Sequence, residues 1–296
     1  CVETELWPAL LCGLHGLGVA MVLVNGRLSE RSFRRYRMVR GLMQRILAGF
    51  SAVSVIRPQD GERFAELAVP EERIRVSGNS KFRYQTADPK EARDRYRQRL
   101  GLEDATVFIC GSTRTGEEEL LLPVYEKLRA ACGNRLVWII APRHLERIPA
   151  LQEFFARQQL DVTLFTHCTG DKRKADIVLI DCMGELADLY AAGDFNFCGG
   201  SLVARGGHNI MEVVRWGLPV YFGPFMQDFT DAAGMVVPVG AGFKVADADE
   251  LGDLLVRHLR NRELYEQACQ AAHKLSEQQC RAVREQTEII RRWLGE

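Results

Sequence analysis

The sequence predicts an α/β protein built on parallel, doubly wound sheets shared between two domains. Three observations carry this. Short apolar runs alternate with stretches of helical periodicity from Val19 to Val245, the order that parallel strands with crossover helices require. The runs are apolar almost throughout, as in strands covered on both faces. Glycine, serine and asparagine cluster where those runs end, and the loops at the carboxyl ends of parallel strands are where such sheets bind ligands.

Composition narrows the class. The 296 residues suffice for two domains, and 47% hydrophobic with 26% charged residues is ordinary for a globular protein. Thirty-nine basic and 39 acidic residues cancel, so there is no global electrostatic case for nucleic acid. Nine cysteines are scattered without C-x-x-C spacing, which argues against a zinc site and for reduced thiols. No apolar run reaches the roughly 18 residues of a membrane span, and no stretch of the chain reads as a signal peptide. The chain opens at Cys1, within what reads as the middle of a fold, so an amino-terminal portion is expected to precede it.

The elements follow in order. An apolar helical segment after Val2–Pro8 ends near Gly16 or Gly18, and Val19–Val24 reads as a buried strand with Asn25-Gly26-Arg27 as its ligand-side loop. From Arg31 to Gly49 one basic amphipathic helix is expected. It carries Arg31, Arg34, Arg35, Arg37, Arg40 and Arg45, with Phe33, Tyr36, Met43, Ile46 and Leu47 interleaved. Two readings stand for it: a solvated charged face, or contact with an anionic membrane surface or phosphorylated lipid. Strands at Ala52–Ile56 and Ile74–Ser77 flank a helix at Arg57–Leu67. The polar stretch from Arg83 to Lys90 sets the domain boundary, giving a first domain over 1–83 and a second over 84–276. Strands are expected at Thr106–Cys110, Leu136–Ala141, Val162–Phe165, Ile177–Ile180, Phe195–Cys198, Leu218–Phe222 and Phe243–Val245. The amphipathic segment 277–296 is expected as a terminal helix that packs back on the first domain.

The chain is organised around Asp194–Pro224. A buried strand, Phe195–Cys198, runs into Gly199-Gly200-Ser201; a second pair, Gly206-Gly207, leads through His208 and Asn209 into a helix that Gly217 ends. Asn209 is expected as the helix N-cap with Glu212 as its capping-box partner. Free N–H groups there would suit a phosphate, and Glu212, one turn in, would reach a ribose hydroxyl. The plainer reading is that both residues only cap the helix.

Three further loops converge on the same side of the sheet: Gly111-Ser112-Thr113-Arg114, Pro142-Arg143-His144, and Asp181-Cys182-Met183-Gly184-Glu185. Each has a bland alternative: Ser112 and Thr113 as helix caps, Arg143 paired with Glu146, His144 as a satisfied loop histidine, Met183 as core. Four such loops on the ligand side of one sheet point together to a site.

The motifs E-T-E-L-W-P, N-G-R-L-S-E-R-S, G-N-S-K-F, G-S-T-R-T-G-E-E, P-R-H-L-E-R, M-G-E-L and G-G-S-L-V-A-R-G-G-H-N occur in this order. The string closely resembles the 3-deoxy-D-manno-octulosonic acid (Kdo) transferases. The resemblance implies a GT-B glycosyltransferase fold with two Rossmann-like domains, the first truncated here. It implies an inverting transfer of Kdo from CMP-Kdo to a lipid A precursor, lipid IVA, in lipopolysaccharide biosynthesis. The implied place is the cytoplasmic face of the inner membrane, with no cofactor and no metal. Carried over residue by residue, Ser112, Thr113, Arg143 and His144 would line the CMP side. Met183, Gly184 and Glu185 would approach base and ribose, and Ser201, Gly207, His208, Asn209 and Glu212 would hold phosphate, ribose and the Kdo carboxylate. Glu3 matches an acid in the family's reaction cleft. Arg27, Arg34, Arg35, Arg37 and Arg40 are assigned to the acceptor and membrane side.

The chain departs from the family at Gly26, Ser80, Arg83, Ile210, Met211 and Val213, and at Arg114, where a histidine is usual. Arg83 in place of an acid bears on the hinge. The family's general base is expected upstream of Cys1, so this chain alone is expected to bind donor and transfer slowly or not at all. The alternatives are another GT-B protein, a UDP-sugar transferase or epimerase, and a donor-binding fragment that does not catalyse.

Overall fold

The computed structural model describes residues 1–3, 6–80, 88–133, 135–168 and 175–294. The chain divides into two compact units, residues 1–83 with 277–296, and residues 84–276. Arg83, expected at the hinge, and Glu5 of the E-T-E motif lie outside the described residues.

The first unit holds a three-stranded parallel sheet in the order β1 (Met21–Gly26), β2 (Phe50–Val55), β3 (Ile74–Val76). Helices α1 (Pro8–Gly16), α2 (Glu30–Met38), α3 (Arg40–Leu47) and α4 (Pro58–Glu66) pack around it. Leu11, Leu23, Phe50, Val53, Phe64 and Leu67 form its core. The single helix expected over 31–49 is two, α2 and α3, broken at Val39 (φ −114°, ψ 38°). Core burial explains the break. At about 100° per residue, Phe33 and Ile46 would lie about 140° apart on one straight helix, yet both are buried. Residues 277–294 are the carboxyl-terminal half of α12 (Arg262–Leu294). From it, Gln286 Nε2 donates to Gly78 O at 2.9 Å.

The second unit is a seven-stranded, all-parallel sheet. Its strands are β4 (Ala105–Thr113), β5 (Arg135–Pro142), β6 (Val162–Leu164), β7 (Ile177–Leu179), β8 (Phe195–Cys198), β9 (Val220–Phe222) and β10 (Gly242–Lys244), in the order β10-β9-β8-β4-β5-β7-β6. The chain leaves β4 towards β5, β7 and β6, then returns to the other side of β4 through β8. Beside β4, therefore, successive connections part in opposite directions and their loops leave a crevice. Helices α5 (Pro89–Leu100), α6 (Glu117–Ala131), α7 (Ile148–Arg157) and α11 (Ala248–Arg260) lie among the crossovers, with short turns α8 (Leu186–Leu189), α9 (Met211–Val214) and α10 (Thr230–Val236). Trp138 anchors the core, stacked on Tyr125 at 5.0 Å and edge-on to Phe155 at 5.5 Å. All nine cysteines are free thiols, and no helix among the described residues is long and apolar enough to cross a membrane.

Candidate nucleotide site of the second unit

A cleft of about 350 Å³ opens at the carboxyl ends of the central strands. It is built from Ser112 at the end of β4, Pro142 at the end of β5 and Arg143 after it, Ile180, Cys182, Met183 and Gly184 after β7, Cys198 at the end of β8, His208 and Asn209 before α9, and Glu212 within α9. The loops are held close by backbone bonds. Arg143 N–H donates to Thr113 O at 3.0 Å, and Gly199 N–H to Gly111 O at 2.7 Å. Tyr190 forms part of the wall, and a Cβ on Gly111 would collide with its hydroxyl, which explains the glycine at the end of β4. Ser112 itself takes φ +56°, a left-handed backbone rare for a side-chain-bearing residue, on the cleft wall.

Of the residues chosen from sequence, Ser112, Arg143, Met183, Gly184, His208, Asn209 and Glu212 line this cleft; the other five do not. Thr113 is buried and donates to Glu118. His144 is exposed and accepts from Arg114. Glu185 is turned away: Tyr96 Oη donates to its Oε2 at 2.6 Å, with Arg99 3.8 Å from its other oxygen. Ser201 is buried; its hydroxyl donates to Cys198 O and accepts Gly223 N–H at 2.9 Å, so it braces the turn. Gly207 serves backbone geometry, at φ +77° with Met226 packed where a Cβ would stand.

The helix start differs from expectation. α9 is one turn, Met211–Val214, and it continues as turns through Trp216 instead of as helix. Asn209 Oδ1 accepts Met211 N–H at 3.2 Å, while Asn209 Nδ2 meets Glu212 Oε1 at 3.4 Å. Glu212 thus closes on the Asn209 side chain and makes no capping box. Burial pushes the Glu212 carboxyl up, opposed by Arg215, Asn209 and Arg143.

The glycine-rich turn after β8 holds an anion of the chain's own. Glu117, the first residue of α6, accepts N–H bonds from Gly200 (2.6 Å), Ser201 (3.0 Å), Leu202 (3.0 Å) and Arg114 (2.8 Å). Burial pushes its carboxyl up and these four N–H groups pull it down. Burial outweighs them and the carboxyl lies above its usual range, yet four N–H donors at its two oxygens leave no acceptor position for a proton, and this geometry holds Glu117 as the carboxylate. Its neighbour Glu118 is also buried, and Arg147 Nη2 pairs with it at 2.6 Å. In the sequence these acids stand only as letters of the G-S-T-R-T-G-E-E motif. The available signal was their position in the first turn of a helix, where the dipole favours negative charge.

His208 and Arg143 line the cleft, and Arg114 donates to His208 from beside it. Burial, then the charges of Arg114 and Arg143, bring His208 down to about 4, so its ring is neutral near pH 7. Arg143, exposed, has no hydrogen-bond partner for its guanidinium among the described residues. A neutral donor, a cation, and the Asn209–Glu212 pair therefore share one concave surface, suited to a phosphorylated sugar or nucleotide.

Known proteins resemble this chain in both sequence and fold. Residues 1–84 match the family model described as 3-deoxy-D-manno-octulosonic-acid transferase (kdotransferase). A 3-deoxy-D-manno-octulosonic acid transferase of Haemophilus influenzae is 31% identical over 278 residues, covering 93% of this chain and 64% of that protein. The chain is similar to Kdo transferases over most of its length. A bifunctional glycosyltransferase/methyltransferase of Fusobacterium nucleatum is 34% identical over 256 residues, 84% of this chain and 39% of that protein. The chain thus spans less than two thirds of the length of these two relatives. Among solved structures, the C-terminal CMP-Kdo binding domain of WaaA from Acinetobacter baumannii matches at TM-score 0.57 and 29% identity, over 63% of this chain and 96% of that one. A UDP-N-acetylglucosamine 2-epimerase matches at TM-score 0.53 and 12% identity, over 96% of this chain and 68% of that one, a likeness of fold alone. The fold is GT-B, with two α/β units on parallel sheets.

Proposed function

We propose that the cleft of the second unit binds CMP-Kdo and that this chain is the donor-binding part of an inverting transferase moving Kdo onto a lipid A precursor, lipid IVA, in lipopolysaccharide synthesis. One observation carries the reading. The cleft residues Arg143, His208, Asn209 and Glu212 stand on a unit similar to a CMP-Kdo binding domain over nearly all of that domain's length. In this reading Glu212, steadied by Asn209, takes the ribose hydroxyls, and Arg143 with the His208 ring N–H takes the CMP phosphate. An acceptor hydroxyl attacks the anomeric carbon of Kdo, a carboxylate takes its proton, and CMP departs as the cation and N–H donors stabilise the charge it gains. Glu3 is the proposed acid of this chain on the acceptor side. No cofactor or metal is invoked.

The basic helices support a membrane role at the cytoplasmic face of the inner membrane. Arg34, Arg35, Arg37 and Arg40 are all exposed, as is Arg27, and beside them Met38, Val39 and Leu42 are exposed apolar side chains. Cations flanking apolar residues suit an anionic lipid surface. Part of that charge is already engaged: Arg34 pairs with Glu30 at 3.0 Å, and Arg37 lies over the Phe33 ring at 5.8 Å.

Titration calorimetry with CMP and UMP tests the donor site. CMP should bind in clear preference to UMP, and equal or reversed preference would return the site to the UDP-sugar class. Product formation from CMP-Kdo and lipid IVA, with Glu3→Gln beside the parent chain, tests the transfer.

A further inference from the structure

Three loops of the second unit meet around a side chain that the family resemblance does not assign. Arg114 Nε donates to His208 Nε2 at 3.3 Å, and Arg114 Nη1 donates to His144 Nε2 at 2.6 Å. Its backbone N–H donates to Glu117 Oε2 at 2.8 Å, the carboxylate that also holds the turn at Gly200, Ser201 and Leu202. Arg114 is therefore fixed at its backbone by the anion that shapes the β8 loop. At its tip it is fixed by one histidine from the β5 loop and one from the β8 loop. The turn packs against the same group: a Cβ on Gly200 would lie 3.1 Å from His208 Cδ2 and 3.6 Å from Arg114 Cγ.

The chemistry of this bridge is specific. A guanidinium has donors only, so the imidazole nitrogen facing it must accept. On His208 the ring proton then sits on Nδ1, leaving one donor and no net charge on a residue that lines the cleft. The charged and titratable groups around His208 are Arg114 from the β4 loop, Arg143 and His144 from the β5 loop, and Asp228 after β9, the last opposing the others. A histidine at position 114 would have one donor when neutral and could serve both rings only as an imidazolium. Arginine supplies both donors without itself titrating, so the bridge stands wherever the two rings are neutral.

We propose that Arg114 is a positioning residue of the cleft: by bridging His144 and His208 it locks His208 in the Nδ1–H tautomer and ties the loops after β5 and β8 together, presetting the cleft for the phosphate of a nucleoside monophosphate. The ligand half of this rests on the reading of the cleft as a cytidine-nucleotide site; the bridging half does not.

The test has two arms on the 296-residue chain. In the first, ring-nitrogen NMR of ¹⁵N-histidine-labelled protein follows His208 in the parent, Arg114→Met and Arg114→His, the last a small change should the methionine variant fold poorly. The parent should keep a single Nδ1–H tautomer from about pH 5.5 to about pH 8. Both variants should show mixed tautomers and titrate inside that range. An unchanged tautomer without titration in either folded variant would overturn the proposal, leaving burial alone to hold the ring. In the second arm CMP affinity is measured for Arg114→Met, His208→Gln and the pair. Arg114→Met should weaken CMP about tenfold, and the double variant should lose little more than the worse single one. Additive losses would overturn the positioning role with the CMP site intact. Absence of CMP binding by the parent would overturn the nucleotide reading alone, and the NMR arm would still decide the bridge.

Discussion

Glu117 Oε1 accepts the backbone N–H of Ser201 at 3.0 Å, across 84 positions of sequence. This bond and its three companions mean that the glycine turn after β8 is closed around a carboxylate of α6 and is not an open phosphate cradle. The polar side chains that line the cleft are instead His208, Arg143 and the Asn209–Glu212 pair.

Replacing that carboxylate by its amide should be costly. In Glu117→Gln an NH2 group would face backbone donors that have no other acceptor. The expected loss is about 2–4 kcal/mol of unfolding free energy, the scale of buried groups left unpaired. Urea unfolding with an unchanged slope reads this, and a loss within experimental scatter would show that the turn stands without Glu117.

Nucleotide recognition is tested at the Asn209–Glu212 pair. Asn209→Ala and Glu212→Ala should each weaken CMP binding by about 1–3 kcal/mol, the usual effect of losing a charge-assisted hydrogen bond or orphaning its partner. Calorimetry on the whole chain suffices. Unchanged affinity in both would remove this pair from the ligand.

Acid should destabilise the fold through two histidines. His208 and His258 are both brought down from 6.5 to about 4, chiefly by burial. Each folded pKa lies below its unfolded value, so between these limits the unfolded state binds more protons and stability rises with pH. The contribution is complete above about pH 6.5 and is lost as pH falls towards 4. His258 Nδ1 faces Tyr221 Oη at 2.6 Å, within a ring cluster that includes Phe243. His258→Gln keeps a polar partner there and should flatten part of the pH slope of the urea midpoint. An identical slope would place the acid sensitivity elsewhere.

Membrane association should be electrostatic. Vesicle co-sedimentation is expected to require anionic lipid and to fall with salt, and changing Arg34, Arg35, Arg37 and Arg40 together to Gln should abolish it while CMP binding persists. Equal binding to neutral and anionic vesicles would identify a solvated helix face.

What was readable from sequence is local. Phe195–Cys198 is four apolar or buried residues before a glycine pair, and it forms strand β8, beside the central β4, over those residues. Ser112, Arg143, His208, Asn209 and Glu212 could be placed on the ligand side because a parallel sheet sends every strand's carboxyl end to one edge. Where expectation and structure part, a distant contact decides. One helix over 31–49 satisfies periodicity, but burying both Phe33 and Ile46 requires a break at Val39. Glu185 sits in a ligand-side loop, yet Tyr96, 89 positions away, holds its carboxylate elsewhere.

The sequence by itself determined the strand–helix alternation, the loops at the carboxyl edge of the sheet, and the resemblance to Kdo transferases, because apolar periodicity, turn chemistry and motif spacing are properties of neighbouring residues. Only the tertiary structure decided which polar side chains of those loops face the cleft. Ser201 and Thr113 look like ligands in the string and are braces in the fold, while Arg114 looks like a deviation and stands between two histidines. Side-chain direction follows from strand order and from which buried charge each loop must satisfy, and Glu117 meets its partners only once β4 and β8 lie side by side.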